Sequence, residues 1–215
     1  MSVFYAVERQ ACVTEGDKQA AMDHEVPETK LDGEVVFSGR LLTVRKDRVA
    51  LAGGGVTSRE VVLHPGAVAL AAVDGDGNFI FVRQYRYPVG VELWEVPAGK
   101  LEPGEEPFRA AHRELAEETG LAATMMQPLT VFFTTPGFCD EKMHLFLATG
   151  LGPARPSDIR PDDDEFIEVE RVPLDEAVLM AVDGRIKDAK TIAAIFLARA
   201  ALCQPVRPVE ELPKA

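Results

Sequence analysis

Cysteine is scarce in this chain, and so is positive charge. Only Cys12, Cys139 and Cys203 occur among 215 residues, an odd, scattered set without the paired spacing of a zinc site. That excludes a disulfide scaffold and leads us to expect reduced thiols in a cytoplasmic protein. Lysines and arginines number 23 against 35 aspartates and glutamates, a formal net charge of −12. Such a balance argues against a nucleic-acid surface or an anionic membrane as partner. No apolar run approaches the roughly 20 residues of a membrane span. The first residues also lack a basic stretch followed by an apolar core, so no secretory leader is expected. No internal repeat is found, and the length suits one domain with a substantial core.

What is present centres on residues 99–121. A Gly-rich loop, Gly99-Lys100-Leu101-Glu102-Pro103-Gly104, leads into a helix whose end is set by Gly120, a residue suited to the left-handed position after a helix. Glu114, Glu117 and Glu118 stand three and four apart and so share one arc of that helix. Phe108, Ala111 and Leu115 take the adjacent arc and are expected to seat it on a core. Three like charges packed this closely repel unless a cation sits among them, and hard divalent ions take such oxygen ligands beside substrate phosphates.

The spacing is more specific than the charge. Gly99, five residues, Glu105, seven residues, then Arg113-Glu114-Leu115-Ala116-Glu117-Glu118-Thr119-Gly120-Leu121 resembles the Nudix box at every defined position. The resemblance implies an α+β fold, an α/β/α sandwich with a mixed sheet, and a hydrolase that cleaves a diphosphate joined to another group. It implies Mg²⁺, or Mn²⁺ in its place, held by Glu114, Glu117, Glu118 and the backbone carbonyl of Ala98. The resemblance makes Glu114 and Glu118 the principal catalytic ligands. Arg113 and Glu105 are expected to pair and shape the loop rather than to do chemistry.

Around the box, Val35–Phe37, Leu41–Val44, Arg48–Leu51 and Thr57–Leu63 read as an antiparallel meander. It resembles the N-terminal region of ADP-ribose pyrophosphatases, which implies a homodimer in which Arg59 or Glu60 reaches the partner's pocket. Arg83-Gln84-Tyr85-Arg86 alternates cations with polar and aromatic residues along a strand. Arginine's fork suits phosphate oxygens, and the resemblance maps the substrate contact to Arg86. Glu95 is expected either to contact substrate or to serve structurally. Pro136, 15 residues beyond Leu121, with Gly137 sits in a Thr-Pro-Gly setting similar to the ADP-ribose pyrophosphatase subfamily and is assigned to the substrate site. Thr135 stands where serine is more usual. The Asp-Glu-Phe-Ile-Glu-Val segment looks like the family's catalytic loop, with the general base on Glu165 and Asp164 as its competitor.

Residues 1–32 are expected to form a poorly structured arm, with Val3–Val7 as a short strand or anchor. Residues 33–63 form the dimerising strands, 64–203 the hydrolase domain and 204–215 a loose tail. The expected reaction is Mg²⁺-dependent hydrolysis of ADP-ribose to AMP and ribose 5-phosphate. Another nucleoside-diphosphate sugar remains open as substrate; a non-catalytic binding module is disfavoured, because every box carboxylate is present.

Overall fold

A computed structural model of the chain describes residues 27–158 and 167–203. The expected Val3–Val7 segment, the 204–215 tail and both base candidates, Asp164 and Glu165, lie outside the described residues. Strands β1 (Glu28–Ser38), β2 (Thr43–Leu51) and β3 (Val56–Leu63) form an antiparallel sheet in that order. Two boundaries differ from the sequence reading. Glu28–Asp32, assigned to the arm, pair with Arg48–Leu51 across a bulge between Lys30 and Asp32 and belong to β1. Leu41–Val44 and Arg48–Leu51 looked like separate runs because charges interrupt them. Yet Asp47 is buried in mid-strand, held by Arg45 at 2.7 Å and by Lys30 of β1 at 3.0 Å, so the strand continues through it.

The core follows from alternation. In β4 (Ala67–Ala72) every residue is buried, as in a strand covered on both faces. Ala67, Ala69 and Ala71 face one apolar cluster while Val68, Leu70 and Ala72 face another. β5 (Asn78–Arg86) divides likewise, with Phe79 and Phe81 on the first side and Ile80 on the second. β4 pairs in parallel with β9 (Lys142–Pro153) and antiparallel with β7 (Ala98–Lys100), and β8 (Leu121–Phe133) closes the far edge, giving the mixed order β7-β4-β9-β8. A second sheet, β10-β5-β6, brings β10 (Glu168–Pro173) and β6 (Val91–Glu95) to either side of β5.

Helix α1 (Pro107–Thr119) covers the second cluster through Ala110, Ala111 and Leu115. Helices α2 (Leu174–Val182) and α3 (Ala189–Cys203) cover the first through Ala177, Met180, Ala194, Ile195 and Ala198. The result is the expected α/β/α sandwich with helices on both faces of a mixed sheet. The N-terminal sheet is hydrogen-bonded to this body along β3. There the Val62 N–H donates to the Phe138 carbonyl at 2.7 Å and the Asp140 N–H to the Val62 carbonyl at 3.2 Å.

Candidate active site

Helix α1 starts and stops where its sequence says it should. Pro107 occupies the first turn, where its missing N–H costs nothing. Gly120 follows the last turn at φ 67°, and its N–H donates to the Ala116 carbonyl at 2.9 Å. One assignment on the buried face needs correction. Phe108 is 50% exposed and lies on the flank, its ring edge-on to His112 and Phe146. The fully buried position beside Ala111 and Leu115 belongs to Ala110.

The acidic arc is organised by Arg113. Its Nε and Nη2 donate to the two oxygens of Glu105 at 2.9 and 2.8 Å, and Nη2 also reaches the Lys100 carbonyl at 3.2 Å. This is the expected structural pair, tying the loop to the helix. The same guanidinium reaches further: Nη1 donates to Glu114 at 2.7 Å and to Glu117 at 2.9 Å. The hydrogen bonds to Glu105, with the Glu114 and Glu117 charges, push the Arg113 pKa up against the opposing effect of burial. In turn Arg113 holds the Glu105 carboxyl below the usual range. Glu114 is 9% exposed, and its carboxylate lies over the backbone of Gly99, where any Cβ would overlap it. Glycine at position 99 is thus a close-approach requirement.

Glu118 turns the other way. Its Oε2 accepts the Ala98 N–H at 3.0 Å, and it lines a cavity of about 560 Å³ with Gln84, Arg86, Thr134, Glu141 and Lys190. Glu114 and Glu117 line a neighbouring cavity of about 470 Å³, and the two share Leu41, Ala98, Gly99 and Lys100 as a common wall. The short strand β7 therefore separates the carboxylates into two groups on either side of one backbone segment. All the donors here are hard oxygens, the set that suits Mg²⁺, and the Arg113 head between Glu114 and Glu117 shows that the cluster holds a positive charge. Among the described residues no three His, Cys, Asp or Glu side chains are grouped so that they could hold a metal ion by themselves.

Glu95 is placed differently from a substrate ligand. It is 2% exposed, beneath the wall of the larger cavity, and both its oxygens are taken: Arg86 Nε and Nη2 donate to them at 2.7 and 2.8 Å, and Lys190 Nζ pairs with Oε2. Burial pushes the Glu95 carboxyl up, but the Arg86 hydrogen bonds and the Lys190 charge outweigh it and hold it below the usual range.

Arg59, Glu60, Pro136 and Gly137 gather in a third cavity of about 440 Å³ with Glu28 and Asp140. Within one chain they do not meet the box carboxylates. Thr134, Thr135 and Glu141 line the Glu118 cavity while Pro136–Asp140 line this one, so the 134–141 loop divides them. Arg59 is held there by a two-pronged ion pair with Glu28. Sequence reasoning missed Lys190 and Glu141. Lys190 carried no signal, since its partner Glu95 lies 95 positions away; Glu141 was visible only as the acidic residue before a strand.

Comparisons with known proteins give the family. Residues 62–195 match the NUDIX domain family. The chain is 44% identical over 162 residues to the ADP-ribose pyrophosphatase of Bacillus subtilis strain 168, covering 75% of this chain and 87% of that protein. It is 42% identical over 168 residues to the methanol dehydrogenase activator of Bacillus methanolicus, covering 78% and 90% respectively. Among solved structures, a crystal structure of an ADP compounds hydrolase superposes with a TM-score of 0.71 at 27% identity, covering 81% of this chain and 94% of that one. No helix among the described residues is long and apolar enough to cross a membrane.

Proposed function

The chain belongs to the Nudix family, and from that premise we propose that it hydrolyses the diphosphate linkage of ADP-ribose to AMP and ribose 5-phosphate. The observation that carries the proposal is the cavity that Arg86 and Lys190 line together with Ala98 and Glu118. Cations for phosphate oxygens and oxygens for a divalent ion line one space large enough for part of a nucleotide. Similarity to the Bacillus subtilis ADP-ribose pyrophosphatase over most of the chain supports the choice of sugar nucleotide.

In this reading Glu114, Glu117, Glu118 and the Ala98 carbonyl hold Mg²⁺, or Mn²⁺ in its place. When bound, the ion neutralises the diphosphate and acidifies the attacking water. Arg86 binds and orients phosphate oxygens so that the reacting phosphorus is presented to that water. Glu165 accepts the water proton as the P–O bond forms, and the bridging P–O bond breaks to leave the second phosphate. The Arg113–Glu105 pair fixes the loop so that Gly99 stays against Glu114.

A phosphatase-coupled assay tests the proposal directly, because the products are phosphate monoesters and ADP-ribose is not. Phosphate release is expected with Mg²⁺ and ADP-ribose, abolished by chelator, and reduced by orders of magnitude in Glu118→Gln, which removes a charged oxygen donor but keeps its shape. Faster release from a different nucleoside-diphosphate sugar would overturn the substrate choice. Full turnover by Glu118→Gln would overturn the metal assignment.

A further inference from the structure

Glu95 is the most deeply buried carboxylate in the described chain and yet it carries two cations. Arg86 comes from β5 and Lys190 from the first turn of α3, and both pair with Glu95 at the end of β6. Neither cation is loosely held. The Asp188 Oδ2 atom accepts the Thr191 N–H at 3.0 Å, which caps the start of α3, and it also pairs with Lys190 at 3.0 Å. The Thr191 hydroxyl in turn accepts the Val96 N–H at 2.9 Å, which ties the helix start to the chain directly after Glu95. Three elements are thus fastened around one carboxylate.

The donors can be counted. Arg86 carries five N–H groups and spends two on Glu95; Lys190 carries three and spends one on Glu95 and one on Asp188. Among the described residues three donors on Arg86 and one on Lys190 are not spent on Glu95 or Asp188, and both side chains line the Glu118 cavity while Glu95 does not. The two positive charges are balanced by Glu95 and Asp188, so the pair stands side by side without net repulsion before any anion arrives.

We propose that Glu95 is a positioning residue that never touches substrate: it clamps Arg86 and Lys190 together, so that their unspent donors form one preset receptor for the oxygens of a diphosphate. This rests on the reading of the substrate as a diphosphate ester. Its consequence is specific. Loss of Glu95 acts through the two cations and so weakens ground-state binding, whereas loss of a base or a metal ligand acts on turnover.

The test measures binding of inorganic pyrophosphate to the full chain by calorimetry, together with ADP-ribose kinetics. E95Q is expected to weaken pyrophosphate binding about tenfold, near the worth of one charge-assisted hydrogen bond. KM for ADP-ribose should rise to match, with kcat within about threefold of the parent. In an R86A background the same substitution should cost under about threefold, because coupled residues are not additive. An undiminished tenfold cost in R86A, no cost in the parent, or a fall confined to kcat would each overturn the clamp. So would complete loss of pyrophosphate binding in R86A alone, since Lys190 remains. If circular dichroism shows E95Q unfolded, E95D replaces it. That variant keeps the charge but shortens the reach to Arg86 by one methylene, and the same outcomes apply. A chain that gives the expected pyrophosphate results yet leaves ADP-ribose intact would remove the substrate reading while leaving the clamp standing.

Discussion

At Gly99 one missing methyl group sets the position of Glu114. The clash that a side chain would create there falls on the far end of a flexible carboxylate rather than on backbone. Gly99→Ala is therefore expected to fold, with a thermal midpoint near that of the parent, while Glu114 swings away from its place beside the Ala98–Lys100 segment. Turnover should drop about a hundredfold, the scale of a misplacement near 1 Å in a reacting site, and the Mg²⁺ concentration for half-activity should rise. An active Gly99→Ala enzyme would show that Glu114 has no fixed role. The choice of base is decided by a similar pair of changes. Glu165→Gln should lower kcat by about 10²–10⁴, the usual contribution of a positioned acid or base, with KM little changed. Asp164→Asn should do much less; steady-state kinetics on both variants would reverse the assignment if the Asp164 variant were the slower.

Among the elements, α1 was legible from sequence because its punctuation is local: Pro107 opens it, Gly120 closes it, and the glutamates fall at helical spacing between them. β1 was legible only in part. Glu28–Ser38 is exposed on nearly every residue, so Glu28–Asp32 carry no apolar alternation, and only pairing with β2 reveals them as strand. The junction of β5, β6 and α3 was not legible at all, since Glu95 and Lys190 meet through tertiary packing rather than spacing. That junction gives a pH prediction. The Glu95 carboxyl is held below the usual range, so its contribution to stability is complete above the ordinary glutamate value of about 4.3 and is lost as pH falls through the lowered folded value. The difference in thermal midpoint between the parent and Glu95→Gln should be constant from neutral pH down to about 4.3, shrink as pH falls further, and be gone below the lowered folded value. A gap that widens in acid would contradict the sign.

For the whole molecule the question is what covers the N-terminal sheet. It meets the rest of the chain at the Val62 seam, and on β1 Val35, Val36 and Phe37 are 57, 52 and 57% exposed. A long strand with apolar residues and an open edge is a pairing site, and a second copy of the same sheet is the simplest partner because a two-fold arrangement lets one surface satisfy itself. The third cavity fits this arrangement. Arg59 and Glu60 belong to the same sheet, and together with Pro136 and Gly137 they lie away from the carboxylates of their own chain. A homodimer that brings them to the neighbour's Glu118 cavity would place the Arg59 guanidinium, whose fork suits phosphate oxygens, beside the neighbour's substrate. The expected outcome is a dimer in sedimentation velocity at micromolar concentration. Val35→Asp with Phe37→Asp should convert it to a folded monomer with a raised KM for ADP-ribose and intact Mg²⁺ binding. Arg59→Ala should raise KM while leaving the dimer whole, which separates a substrate contact from an assembly contact. A parent chain that sediments as a fully active monomer would refute the dimer, and the Arg59 cavity would then have to serve its own subunit.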